Sequence, residues 1–108
     1  MVLYWALLIV LLGTATANDI YTEAVHACLF GHNDVSLTGI SLEKCKQLCS
    51  SSTVPPCNSI DYLDTPNKWN KKYCYLSKES KATQPGDYQE PCSGDYAKCV
   101  YLEKKSCK

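Results

Sequence analysis

Arginine is absent from this sequence, and net charge is absent as well. The eleven basic residues among the 108 are all lysines, and eleven acidic residues balance them to a net charge of zero. Without arginine, the chain lacks the planar group that binds phosphate or carboxylate through two parallel hydrogen bonds. Without net charge, it has no overall field that would select a nucleic acid or a membrane surface. We therefore expect no nucleic-acid partner.

Histidine is scarce, and its scarcity limits catalytic and metal chemistry. The only two histidines are His26 and His32, and a Ser-His-Asp or Cys-His site needs a base held beside a nucleophile. Two histidines do not complete a tetrahedral zinc site either. We interpret both as ordinary surface or loop residues, and Asp61 and Asp64 as solvated residues at a strand end. The sequence thus predicts a protein that is not an enzyme, with no catalytic residue, metal or cofactor.

Only the start of the chain carries a long apolar run. Residues 2–12 are apolar, and the small residues Ala15-Thr16-Ala17 that follow resemble the cleavage site of a secretory signal peptide. The run is shorter than the ~20 apolar residues that a membrane-spanning helix needs. We interpret residues 1–17 as a cleaved signal peptide and residues 18–108 as one secreted, extracellular domain without a membrane span.

Cysteine, by contrast, is abundant. Eight cysteines follow the apolar run, and an even number in a small exported domain is typical of a disulfide framework rather than a metal site. Each bridge contributes ~2–4 kcal/mol, so four bridges can match the ~5–15 kcal/mol net stability of an ordinary domain. We therefore predict that all eight are bridged: Cys28, Cys45, Cys49, Cys57, Cys74, Cys92, Cys99 and Cys107.

The sequence predicts one helix and a small antiparallel sheet. Ser41 is a good N-cap, and apolar residues and cysteines recur at helical spacing from Leu42 to Cys49. Alternating apolar residues predict strands, while the polar stretch 78–94 is predicted to be a long irregular excursion. The predicted strands cover residues 18–29 at a sheet edge, 37–40, 58–63, 72–77 and 97–102.

These elements resemble the PAN/apple domain family. The resemblance covers roughly Cys28 to Cys107 and implies that residues 18–108 form a single PAN/apple-like domain. The implied fold is α+β and disulfide-rich, with one helix packed on an antiparallel sheet. The implied function is that of a secreted, non-catalytic binding module for an extracellular protein or carbohydrate. The segments that carry the resemblance are Gly39 to Cys49 with two cysteines four residues apart, Cys57-Asn58-Ser59-Ile60-Asp61-Tyr62, Cys74-Tyr75-Leu76-Ser77, and Val100-Tyr101-Leu102 followed by Cys107.

The resemblance also implies a disulfide pattern. The sequence alone leaves 105 connectivities open for eight cysteines. The long excursion before Cys92 and the Cys92/Cys99 pair depart from the minimal pattern of the family. The bridges implied by the resemblance are Cys28–Cys107, Cys45–Cys74, Cys49–Cys57 and Cys92–Cys99.

One surface cluster is a candidate ligand-binding site. An aromatic side chain among lysines can stack on a sugar ring while the ammonium groups meet sulfate or carboxylate, or it can dock on an acidic patch of a protein. Alternatively, the tryptophan packs back on the domain and the lysines serve solubility. The predicted partner is an extracellular protein or glycan, of acidic or sulfated character. The candidate residues are Lys68, Trp69, Lys71, Lys72 and Tyr73.

Two other function classes remain open at this point. The chain could be a secreted effector, similar to a toxin, that inhibits a protease or a haemostatic target with a rigid loop. It could also be a structural component of an extracellular matrix. A protease-inhibition panel distinguishes the first from a binding module, and insolubility with cross-linking in the native tissue would indicate the second.

Overall fold

The computed structural model describes residues 19–105, and the interpretation of residues 1–17 as a signal peptide lies outside this range. The described residues form a five-stranded antiparallel sheet, one α-helix and a separate two-stranded ladder. This arrangement confirms the predicted α+β class. The elements are β1 (Tyr21–Val25), β2 (Cys28–Leu29), β3 (Val35–Thr38), α1 (Leu42–Ser51), β4 (Ser59–Leu63), β5 (Tyr73–Ser77), β6 (Tyr88–Gln89) and β7 (Val100–Lys104). The sheet has the strand order β1-β7-β4-β5-β3, and β2 pairs with β6 in the ladder.

Two strand predictions differ from the structure for local backbone reasons. The strand predicted over residues 18–29 is split into β1 and β2, because His26 adopts a left-handed conformation with φ of 57°. The last strand begins at Val100 rather than residue 97, because the 3-10 turn Gly94–Tyr96 continues into Ala97, whose N–H donates to the Gly94 carbonyl at 3.2 Å. The predicted irregular excursion contains one short strand, β6.

The helix begins where its cap residue predicts. The Ser41 hydroxyl accepts a hydrogen bond from the backbone N–H of Lys44 at 3.1 Å, which satisfies one of the unpaired donors of the first turn. Helix α1 buries Cys45 and Cys49 against the sheet. It is held there by the Cys45–Cys74 and Cys49–Cys57 disulfides, the two helix bridges that the resemblance implies. The core on this face is completed by Ile60, Tyr62, Leu76 and Leu102.

The opposite face of the sheet is covered as well. There, the β2–β6 ladder and the segment around Cys92 pack on the sheet, forming clusters that include Leu29 with Tyr101 and Leu63 with Cys99. Because layers lie on both faces, all five residues of the central strand β4 are buried. The alternate residues of β4 that face away from the helix are therefore removed from water too.

The disulfide pattern on this second face corrects the pattern implied by the resemblance. Cys28 is bonded to Cys92 with a Cα–Cα distance of 5.5 Å, so the Cys28–Cys107 and Cys92–Cys99 pairings are wrong. The backbone explains the pairing: Cys28 lies opposite Gln89 in the β2–β6 ladder, and the Cys92 N–H donates to the His26 carbonyl at 2.7 Å. Cys99 is buried and forms no disulfide with another cysteine of residues 19–105, and Cys107 lies outside the described residues.

Tryptic peptide mapping without reduction tests the corrected pattern. We expect the peptide that holds Cys28 to be linked to the peptide that holds Cys92, because backbone pairing brings these two cysteines together. Lys98 separates Cys92 from Cys99, and Lys105 separates Cys107 from both, so each alternative gives a distinct mass. A Cys28 peptide linked to the Cys107 peptide would contradict the structure.

Candidate functional site

The loop between β4 and β5 is organised by one side chain, that of Asn67. Its Nδ2 donates to the carbonyls of Asp64 at 3.0 Å and Lys71 at 2.6 Å. Its Oδ1 accepts from the backbone N–H of Trp69 at 2.9 Å. An asparagine that closes several hydrogen bonds with its own loop mimics backbone turn pairing, so Trp69 is presented from a defined conformation.

Four aromatic side chains from this loop and its neighbours form a continuous group, named here the aromatic surface: Trp69, Tyr73, Tyr75 and Tyr96. The Trp69 ring lies 5.8 Å from Tyr73 in an edge arrangement and 5.6 Å from Tyr96 in a tilted one. Tyr73 and Tyr75 stack with 5.8 Å between centroids and 3° between planes. Trp69 is 36% exposed and Tyr96 37%. Trp69 therefore both packs on the domain and presents part of its ring to solvent.

The structure brings together three of the five candidate residues, Lys68, Trp69 and Tyr73. Lys68 Nζ lies 5.1 Å from the centre of the Trp69 ring and 3.0 Å from Asp95 Oδ2. Lys71 and Lys72 belong to the same loop. The Lys71 carbonyl accepts from Asn67 within the loop, and the Lys72 carbonyl accepts from the Gly39 N–H outside it at 3.0 Å. Across residues 19–105, neither of these two lysines forms an ion pair.

A cavity of about 270 Å³, which no local sequence pattern indicates, lies behind the aromatic surface. It opens between the β2–β6 layer and the sheet, so its walls come from segments distant in sequence. Tyr75 and Tyr96 belong to both the aromatic surface and the cavity wall. The remaining lining residues are Cys28, Leu29, Phe30, Gly31, Asn33, Asp61, Gln89, Cys92, Ser93 and Cys99.

Asp61 lines this cavity, and the interpretation of Asp61 as a solvated strand-end residue is wrong. It occupies the middle of the central strand and is only 9% exposed. Burial raises the pKa of Asp61 to about 7, and the hydrogen bond from the Leu29 N–H opposes this rise. That N–H lies 3.1 Å from each carboxylate oxygen. Asp64, beyond the strand end, is exposed as expected.

The neighbours of Asp61 across the sheet are both tyrosines. Tyr75 on β5 and Tyr101 on β7 lie directly opposite it in the strand register. Burial is the main reason why the pKa values of both phenols, and that of the Cys99 thiol, lie above their usual ranges. These groups are therefore neutral at neutral pH, and Asp61 is the group of this neighbourhood that changes its charge there.

The two histidines lie in turns and loops near the surface, as predicted. His26 Nδ1 is 2.9 Å from the Ala97 carbonyl, and His32 Nε2 is 2.7 Å from Asp87 Oδ2. Residues 19–105 contain no group of three or more side chains placed to hold a metal ion. The helix in the same range is not long and apolar enough to cross a membrane.

A sequence model of the PAN domain matches residues 20–107, a range that includes every strand and the helix described above. No curated protein and no solved structure matches the chain.

Proposed function

Because the chain belongs to the PAN domain family, we propose that it is a secreted, non-catalytic module that binds an acidic or sulfated extracellular glycan through the aromatic surface. Members of this family generally act as binding modules for proteins or carbohydrates. A glycan is the better fit to this chain, because the exposed aromatic area is small and lies beside the Lys68 ammonium group, on a loop that also carries Lys71 and Lys72.

The observation that carries the proposal is the joint exposure of Trp69 and Tyr96 next to Lys68. Aromatic faces offer apolar area with a defined orientation, which suits the C–H face of a sugar ring. The Lys68–Asp95 ion pair joins two exposed side chains, and such pairs contribute only ~0–1 kcal/mol. A sulfate or carboxylate group of the ligand can therefore replace Asp95 as the partner of Lys68 at a small cost in free energy.

A second recess lies beside the aromatic surface and supports the same ligand class. It measures about 230 Å³ and is formed by the β4–β5 loop and the segment Gly94 to Lys98. Asn67, Asp95 and Lys98 supply polar groups to its wall, and a few well-placed polar groups give a binding site its orientation and specificity. A glycan stacked on Trp69 could place a neighbouring ring here.

Secretion is part of the proposal. The apolar run and the Ala15-Thr16-Ala17 site support export. The three disulfides among the described residues support an oxidising compartment.

Retention of the mature chain on immobilised heparin, a sulfated polysaccharide, tests the proposed function. We expect elution by a salt gradient between about 0.1 and 1 M, because the Debye length falls from about 10 to 3 Å over that range. Trp69→Ala should weaken binding about five- to tenfold through lost stacking. Its melting temperature should shift by less than about 4 °C, because the side chain is partly exposed.

Matched lysine variants show whether the site, rather than overall charge, causes retention. Replacing Lys68, Lys71 and Lys72 by Ser should lower the eluting salt concentration markedly. Replacing Lys44, Lys78 and Lys105 by Ser removes the same charge from exposed positions elsewhere and should change elution much less. Equal effects of the two triple variants, or normal binding by Trp69→Ala, would place the site elsewhere.

A further inference from the structure

The buried carboxylate of Asp61 is not explained by the proposed glycan site. Its only hydrogen-bond donor among residues 19–105 is the Leu29 N–H, and it forms no ion pair there. An ionised carboxylate held in apolar surroundings without a counter-charge is unfavourable. A neutral side chain at this position would avoid that penalty. With Asp61 present, a positively charged partner from outside the chain can supply the missing counter-charge.

The walls around Asp61 combine aromatic and neutral groups. Tyr75, Tyr96 and Phe30 face the cavity, which is lined mostly by apolar surface. Phe30 is 64% exposed, so it stands at the mouth rather than in the core. The cavity volume of about 270 Å³ lies near the lower end of the ~300–1,000 Å³ typical of small-molecule pockets. That size suits one ring with a short side chain.

We propose that this cavity binds a small organic ammonium ion, with the ammonium group at Asp61 and the apolar part of the ion against Tyr75, Tyr96 and Phe30. Aromatic faces attract cations, more strongly when the site is desolvated. An anion would meet the Asp61 carboxylate, and a neutral ligand would leave that carboxylate uncompensated. Charge complementarity therefore selects a cation. The cavity shares Tyr75 and Tyr96 with the aromatic surface, but neither Trp69 nor Lys68 lines it.

The same ammonium chemistry could come from a free amine or from a lysine side chain of a partner protein. Both present a primary ammonium group on an apolar stem. Two probes distinguish these sources: 2-phenylethylamine represents the free amine, and Nα-acetyl-lysine amide represents the lysine side chain. Binding of either probe through Asp61 supports the proposal and identifies the source.

Binding of the ammonium ion should depend on pH through Asp61. Below about pH 7 the ion must displace a proton from Asp61, so affinity should rise about tenfold per pH unit and then level off. Burial raises the pKa values of the groups that face Asp61, and they stay neutral in this range: the hydroxyls of Tyr75 on β5, Tyr88 on β6 and Tyr101 on β7, and the thiol of Cys99. Two carboxylates also lie nearby, since Glu90 accepts a hydrogen bond from Tyr88 and Glu103 accepts one from Tyr101.

Titration calorimetry of the mature protein with 2-phenylethylamine and its neutral isostere 2-phenylethanol tests the proposal at about pH 7.5. We expect the amine to bind about 10- to 100-fold more tightly than the alcohol, the ratio given by a hydrogen bond to a charged group. Asp61→Asn should abolish this preference, whereas Asp64→Asn, at an exposed aspartate just beyond the end of the same strand, should retain it. No amine binding, or an unchanged preference in Asp61→Asn, would overturn the proposal.

Two further variants keep the outcome clear. Phe30→Ala removes an exposed aromatic group, so the fold should persist while amine binding weakens; unchanged amine affinity would remove the mouth residue from the site and count against the proposal. Trp69→Ala should leave amine binding intact, and Asp61→Asn should leave heparin retention intact. Heparin retention and amine binding therefore distinguish a failure of the glycan proposal from a failure of the ammonium proposal.

Discussion

Replacing Asp61 by Asn is expected to stabilise the domain above pH 7 and to remove most of the pH dependence of its unfolding between about pH 4 and 7. The reason is that the folded-state pKa of Asp61, about 7, lies above its ordinary value of 3.8. The folded protein therefore holds this proton more tightly than the unfolded chain does. Asparagine keeps an oxygen that can accept the Leu29 N–H but carries no charge to desolvate.

The direction and size of the effect follow from proton linkage. The contribution of the Asp61 proton to the free energy of unfolding is fully present below the pKa of the unfolded state. It falls as pH rises and reaches its lowest level once pH passes the pKa of the folded state. Each pH unit in this window contributes about 1.4 kcal/mol, which amounts to about 4 kcal/mol across it. Guanidinium unfolding of both proteins at several pH values, with a common slope m, measures the difference.

Asp64→Asn is the matched control for the Asp61 experiment. Asp64 lies three residues further along, is exposed, and accepts the Thr65 N–H through Oδ1 at 2.7 Å, a bond that asparagine can keep. We expect the control to follow the wild-type pH curve. An Asp61→Asn curve parallel to the wild type over pH 4 to 7 would show that Asp61 is solvated after all.

Removal of the Cys45–Cys74 bridge by alanine at both positions should lower the free energy of unfolding by about 3–4 kcal/mol through chain entropy alone. The bridge closes a separation of 29 residues, and the loss should lower the melting temperature by about 15 °C or more. Both cysteines are fully buried between α1 and β5, so the space left behind adds to the loss. Differential scanning calorimetry measures the shift.

The second helix bridge provides the comparison. Cys49–Cys57 also begins on α1 and is also buried, but it spans only eight residues. Because shorter loops restrict the unfolded chain less, alanine at both positions should cost about 2–3 kcal/mol. A larger loss for the eight-residue bridge would mean that native strain or packing, rather than loop closure, determines the ranking.

The helix side of the fold was predictable because local signals specify it. Ser41 caps the helix through its own hydroxyl, and the spacing of Cys45 and Cys49 places both on the face that meets the sheet. Ile60, Tyr62 and Leu76 likewise recur at alternate positions of the predicted strands, and all three lie in the core beside the helix. The match to the PAN domain over residues 20–107 confirms the family that these segments resemble.

The second face was not predictable from such local patterns. Asp61 looks solvated because its neighbours alternate as in a sheet with one wet face. That face is covered only because the segment 78–94 folds back over it. The segment is held there by the two residues of β6, which pair with β2, and by the Cys28–Cys92 bridge. A two-residue strand has no periodicity to detect, so the cavity and the altered disulfide pairing depend on contacts between distant segments.

The pairing of β1 with β7 determines how the domain can be tethered. Tyr21 lies opposite Lys104, and the Lys105 N–H donates to the Ile20 carbonyl at 2.8 Å, so the two ends of the described domain leave side by side. The β4–β5 loop emerges at the other end of β7, since Tyr62 lies opposite Val100. About 15 Å of strand separates the two ends. An anchor or neighbouring module joined at residue 20 or 105 would therefore lie at the end of the sheet opposite the loop that carries Trp69.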